Sequence, residues 1–143
     1  MNQQEDEEMQ LGSGIAAFEG KHFGTAMQLL SPLAENGNPE AQYRVSIMSQ
    51  NGLIGSPNEP QAFRYMRAAA EQGHALAQHG LGFMYMEGEC TEQNAEEAVH
   101  WFTRAAEQGM VGSLTALAMM YQEGRGVEQD EAKAQSLLRQ AGF

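Results

Sequence analysis

Apolar residues return along this chain every three or four positions, not every second one, so the elements they predict are helices. Ala77, Leu81, Met84 and Tyr85 keep one helical face apolar, and such stretches break at glycines. Gly52, Gly88 and Gly124 close one set of helices, and Gly73, Gly109 and Gly142 close another. Glycine accepts the left-handed backbone of a helix end at no steric cost. The pattern also repeats. Offset by 36 residues, the chain aligns Gly37 with Gly73 and Gly109, Ala62 with Ala98 and Ala134, and Ala69 with Ala105 and Ala141. Met48, Met84 and Met120 form a further column, as do Tyr65, Trp101 and Leu137.

Each repeat predicts two helices. Helix A begins near Ala41, Ala77 or Ser113, and helix B covers 63–66, 99–102 or 133–138. Asn58, Asn94 and Asp130 share the column before helix B and suit an N-cap. The alanine columns let helices approach closely, while Tyr65, Trp101 and Phe102 fill the gaps. One such hairpin cannot bury its apolar face alone, so hairpins stack into a solenoid. The segment before Pro39 predicts a shorter hairpin with a tighter loop at 18–23. Its Ala26, Leu29, Leu30 and Leu33 fall on the columns of Ala62, Tyr65, Met66 and Ala69.

The segments LGFMYMEGE (81–89), AVHWFTRAAEQG (98–109) and LAMMYQEGRGVEQD (117–130) resemble the Sel1-like repeat family, a relative of the tetratricopeptide repeats. The first segment, FEGKHFGTAMQLLSPLAENG (18–37), is more similar to a tetratricopeptide unit. Departures are Ser46 and Ser49, where the family has Gly and Tyr, and Cys90, where the last repeat has Gly126. The resemblance implies an all-α, right-handed α/α solenoid of about four hairpins and about eight helices with a 36-residue repeat. It implies one repeat domain over 1–143, with a tetratricopeptide-like hairpin at 1–36 and Sel1-like repeats at 37–72, 73–108 and 109–143. It also implies a non-enzymatic adaptor or scaffold that takes a protein or peptide on its concave helix-A face.

Charge narrows the partner. The 143 residues hold 19 acids and 8 bases, a formal net charge of −11. Such a polyanion repels nucleic-acid backbones, whose affinity for proteins comes from lysines and arginines releasing counterions. Anionic membrane surfaces are disfavoured for the same reason, and no apolar run nears the ~20 residues that span a bilayer. MNQQEDEEMQ, with four acids and no base, is unlike a signal peptide. The chain as given therefore reads as cytoplasmic by default, and as periplasmic or secreted if a leader has been removed. The acidic run 5–8 reads as a helix start and a polar cap of the solenoid, with a docking tail as the alternative.

The search for chemistry excludes more than it finds. Gly14–Gly20–Lys21–His22 misses a phosphate loop, because five residues separate the glycines and His22 replaces the Ser or Thr that holds magnesium. Gly12–Gly14–Ala17 matches a loose dinucleotide fingerprint but follows no predicted strand. His22, His74, His79 and His100 show no metal-ligand spacing. Cys90 stands among Glu87, Glu89 and Glu92, which disfavour a thiolate. Cysteine-rich members of the family, some credited with β-lactam binding, carry paired cysteines, so that activity does not transfer to a chain with one. No catalytic residue, metal or cofactor is expected.

A docking strip remains. Counting helix A from Ala41, Ala77 or Ser113, positions 1, 5, 8 and 9 form the core, and positions 3, 7 and 10 form a separate stripe. That stripe reads Tyr43, Ile47 and Gln50, then His79, Phe83 and Met86, then Thr115, Met119 and Gln122. Ile47, Phe83 and Met119 at position 7 predict a hydrophobic strip with Tyr43, His79 and Gln50 as polar handles. The competing expectation is that these side chains pack against the adjacent hairpin. An exposed strip would bind a partner with a hydrophobic centre and basic flanks. The flank around Leu137 and Leu138 further suggests a homodimer through the last helix.

Overall fold

The computed structural model describes residues 2–143. Eight helices follow in order: α1 (Gln3–Glu19), α2 (Phe23–Glu35), α3 (Pro39–Gln50), α4 (Glu59–Glu71), α5 (Ala75–Glu87), α6 (Ala95–Glu107), α7 (Val111–Glu123) and α8 (Glu131–Gln140). The chain is an all-α repeat solenoid of four helix hairpins, and the described residues contain no strand. It divides into two compact units, one ending at His74 and carrying α1–α4, the other Ala75–Phe143 carrying α5–α8.

The repeated residues make repeated bonds. Asn58, Asn94 and Asp130 cap α4, α6 and α8, each accepting from the backbone N–H three residues on, at 3.1, 3.1 and 3.0 Å. The same residues donate their own N–H back to Ser49, Tyr85 and Tyr121, at 2.8, 2.8 and 2.9 Å, which pins each loop to the end of its helix A. Helix A starts two residues before the predicted positions. Asn38 explains this for α3: its side chain accepts from Ala41 N–H, and Pro39 has no N–H to satisfy. Cys90 adopts φ 64° where its counterpart Gly126 adopts φ 75°, so the cysteine occupies glycine's backbone conformation.

A second rule governs the hairpin interiors. A Cβ added at Gly82 would come within 2.7 Å of the Phe102 ring, so that glycine is what lets α6 seat its phenylalanine on α5. Gly14 stands in the same relation to Leu30, at 2.5 Å. Leu30, Met66, Phe102 and Leu138 share one column, and the residues on the first helix of each hairpin are Gly14, Ser46, Gly82 and Ala118. Small stands opposite large in the first and third hairpins, as close packing demands. Ser46 is the polar variant, and its hydroxyl donates to Ala62 C=O at 2.6 Å.

Gly14 precedes Ser46 by 32 residues instead of 36 because the α1–α2 loop has only three residues. The first hairpin is thus tighter in its loop but not shorter in its helices. Its α1, at 17 residues, is the longest, capped by Asn2 with Glu5 and Asp6 in the first turn.

Each unit has its own core. In the first unit it joins Ala26, Leu30, Leu33, Val45, Met48 and Tyr65. In the second it joins Ala98, Phe102, Leu114, Leu117, Met120 and Leu137. Parallel polar ties join the two helices within the second and third hairpins. Gln72 donates to buried Gln42, and Gln108 donates to buried Gln78, both at 2.9 Å.

Candidate docking site

The second unit presents a groove of about 360 Å³ between α5 and α7, and its lining includes Phe83, Met86, Thr115, Met119, Glu87 and Glu123. Local packing explains why Phe83 stands there. Its ring meets Phe102 edge-on at 5.0 Å and His79 edge-on at 4.9 Å, so its base is fixed while 38 % of the residue stays exposed. Met119, one repeat on, is 56 % exposed. The rim is polar. Glu87 and Glu123 are the last residues of α5 and α7, and the Arg125 guanidinium donates to Met86 C=O at 2.7 Å.

His79 supports the groove from behind. It shares a 2.7 Å hydrogen bond with the buried Ser113 hydroxyl, which ties α5 to α7. Burial pushes its pKa below the ordinary 6.5. A Cβ at Gly112 would meet the imidazole at 2.9 Å, so this glycine permits the close approach. His79, expected as a surface handle, is half-buried with its Nδ1 engaged between two helices.

In the first unit, helix-A positions 3, 7 and 10 differ. Tyr43, Ile47 and Gln50 are all half-buried. The Tyr43 ring lies 5.0 Å from the His74 ring, and His74 Nε2 hydrogen-bonds Glu40 at 3.0 Å. Arg44 pairs with the same carboxylate and sits over the Phe18 ring. Burial alone would raise the Glu40 pKa, but Arg44 and His74 outweigh it and hold it below 4.5. Tyr43 is thus part of a local cluster and not a free handle, and Ile47 lacks the exposure of Phe83 and Met119.

Four of the nine predicted residues line the groove: Phe83, Met86, Thr115 and Met119. Gln122 is half-buried outside the lining. The sequence reading missed Glu87, Gly112, Ala116, Met120, Glu123 and Arg125. Glu87 and Glu123 were within reach, since each lies four residues beyond position 7, one turn along the same face. Arg125 comes from a loop and carries no periodic signal. The open flank expected at α8 is also corrected. Leu137 is 5 % exposed, because α7 covers it, and Leu138 is half-buried against the same core.

Elsewhere, no three His, Cys, Asp or Glu side chains among the described residues converge as metal ligands would. No described helix is long and apolar enough to cross a membrane.

The Sel1 repeat model matches residues 39–74, 75–110 and 112–142. The first hairpin lies outside those matches. Among solved structures, a Sel1 repeat protein from Oxalobacter formigenes is 30 % identical, with a TM-score of 0.84 over 94 % of this chain and 40 % of its own. A protective antigen with an SLR fold, present in uropathogenic Escherichia coli strains, is 35 % identical, with a TM-score of 0.78 over 80 % of this chain and 25 % of its own. The chain therefore spans well under half the length of either. Cysteine rich protein B of Helicobacter pylori shares the fold at 19 % identity, with a TM-score of 0.64 over 82 % of this chain and 84 % of its own. Among curated proteins nothing matches.

Proposed function

Because this chain belongs to the Sel1 repeat family, whose proteins generally mediate protein–protein interaction, we propose that it is a non-catalytic adaptor that docks a protein or peptide partner in the α5–α7 groove. The observation that carries this reading is the exposed pair Phe83 and Met119 on neighbouring A helices, with Met86 beside them. Exposed apolar surface rimmed by polar residues marks interaction sites. Methionines adapt to varied side chains. The partner has a hydrophobic centre, and the acidic rim favours basic residues beside it. Generic scaffolding by the family supports the absence of catalysis.

The test is a displayed library of random peptides panned on the wild type and on the Phe83→Ala/Met119→Ala double variant. The wild type should enrich a pool that the variant fails to retain while its unfolding midpoint stays near wild type. Equal enrichment on both proteins would refute the groove. Collapse of the fold in the variant would assign Phe83 to the core instead.

A further inference from the structure

The groove has two unlike ends. The His79–Ser113 bond joins the N-terminal halves of α5 and α7, and the Arg125–Met86 bond joins the C-terminal end of α5 to the loop that leaves α7. The two helices therefore run in the same direction, and their final residues, Glu87 and Glu123, stand at one end of the groove. The other end is lined by Gly112 and Thr115 and bears no formal charge.

The charged end carries two carboxylates against one guanidinium, a formal excess of one negative charge, and one Arg125 amino group donates to a backbone carbonyl. Neither Glu87 nor Glu123 forms an ion pair within 4 Å among the described residues. Helix C-termini are themselves partially negative, so a carboxylate there is locally unfavourable and a cation relieves it. In the first unit both features are missing together. Position 7 is half-buried Ile47, and one turn on stands Asn51 in place of glutamate.

Resting on the docking reading above, we propose that the groove reads a one-sided motif. The partner is a peptide whose aliphatic or aromatic side chain seats between Phe83 and Met119 and whose neighbouring lysine or arginine, on one side only, reaches Glu87 and Glu123. The anchor supplies the buried apolar area, and the carboxylates set orientation and on-rate. This sharpens a partner with basic flanks into one with a defined polarity. Glu87 and Glu123 become specificity determinants, while Phe83 and Met119 are the anchor site.

The experiment pans the same random-peptide library on the full chain, on Glu87→Gln/Glu123→Gln and on Phe83→Ala/Met119→Ala. The wild-type pool should carry lysine or arginine on one side of an apolar residue. A synthetic peptide from that pool should lose about fivefold in affinity on the double glutamine variant, the scale of two partly exposed ion pairs. Its affinity for the wild type should fall with added salt. The same peptide with norleucine in place of lysine should bind wild type and glutamine variant equally. A pool that depends on Phe83 and Met119 but shows no basic preference, or basic residues on both sides alike, would overturn the one-sided reading and leave the docking site standing. A pool indifferent to the Phe83→Ala/Met119→Ala change would remove both.

Discussion

The two units use one 36-residue register to make opposite surfaces on helix A. In the first, Glu40, Tyr43, Arg44 and His74 consume each other: an ion pair, a hydrogen bond and a ring contact leave little apolar surface. In the second, the residues in the Glu40 and His74 columns are Leu76 and Met110, so this cluster cannot form. Its helices instead hold together through His79, Ser113 and Phe102, and Phe83 and Met119 remain outside. Repeats that agree at their structural columns are free to differ at the columns between, and the difference is where binding is argued to reside.

Substitutions should separate those roles. Phe102→Ala empties the centre of the second core and should cost about 3–5 kcal/mol, read from urea unfolding. Phe83→Ala, at the groove, loses two edge-on ring contacts and should cost only about 1 kcal/mol. Equal losses would merge groove and core. In the glycine columns, Gly14→Ala and Gly82→Ala drive a methyl group into Leu30 and Phe102 and should each cost about 1–3 kcal/mol. Gly12, in the same helix as Gly14, has nothing near its Cβ position. Gly12→Ala should therefore stabilise by about 0.5–1 kcal/mol. If both α1 variants moved the same way, the small-faces-large rule would be wrong. Asn94→Ala removes the α6 cap and should cost about 1 kcal/mol, detectable as faster amide exchange in its first turn.

Acid should distinguish the units without mutation. His79 has a folded pKa below 6.5, so the stability it contributes is full above that pH and is lost as pH falls through the lowered value. Glu40 is held below 4.5, so its contribution in the first unit persists until pH falls below 4.5. Amide exchange should accordingly rise first around α5 and α7 on acidification, and around α3 only at lower pH. Simultaneous loss would contradict these assignments.

The hairpins were legible in the sequence because their caps rest on local residue types. Asn58, Asn94 and Asp130 act within three residues of themselves. The docking strip was legible only in part. Position 7 is one column, yet Ile47 and Phe83 differ in exposure because exposure depends on neighbours far along the chain. Phe83 is propped by Phe102, and Tyr43 is drawn to His74. The Ser113 bond to His79 could not be read from the helix face for the same reason, since it depends on a partner 34 residues away. The acidic end followed helical spacing and could have been extended from the stripe, whereas Arg125 required the loop to be built.

The claim that binding belongs to the second unit's groove is tested most directly by methyl spectra of the methionine-labelled protein during titration with a peptide selected on it. Methionines report on both sides of the comparison: Met86, Met119 and Met120 line the groove, and Met48 and Met66 are buried in the first unit. Shifts concentrated on Met86, Met119 and Met120, with Met48 and Met66 unmoved, are the predicted result. Shifts confined to Met48 and Met66 would contradict it and move the docking site to the first unit.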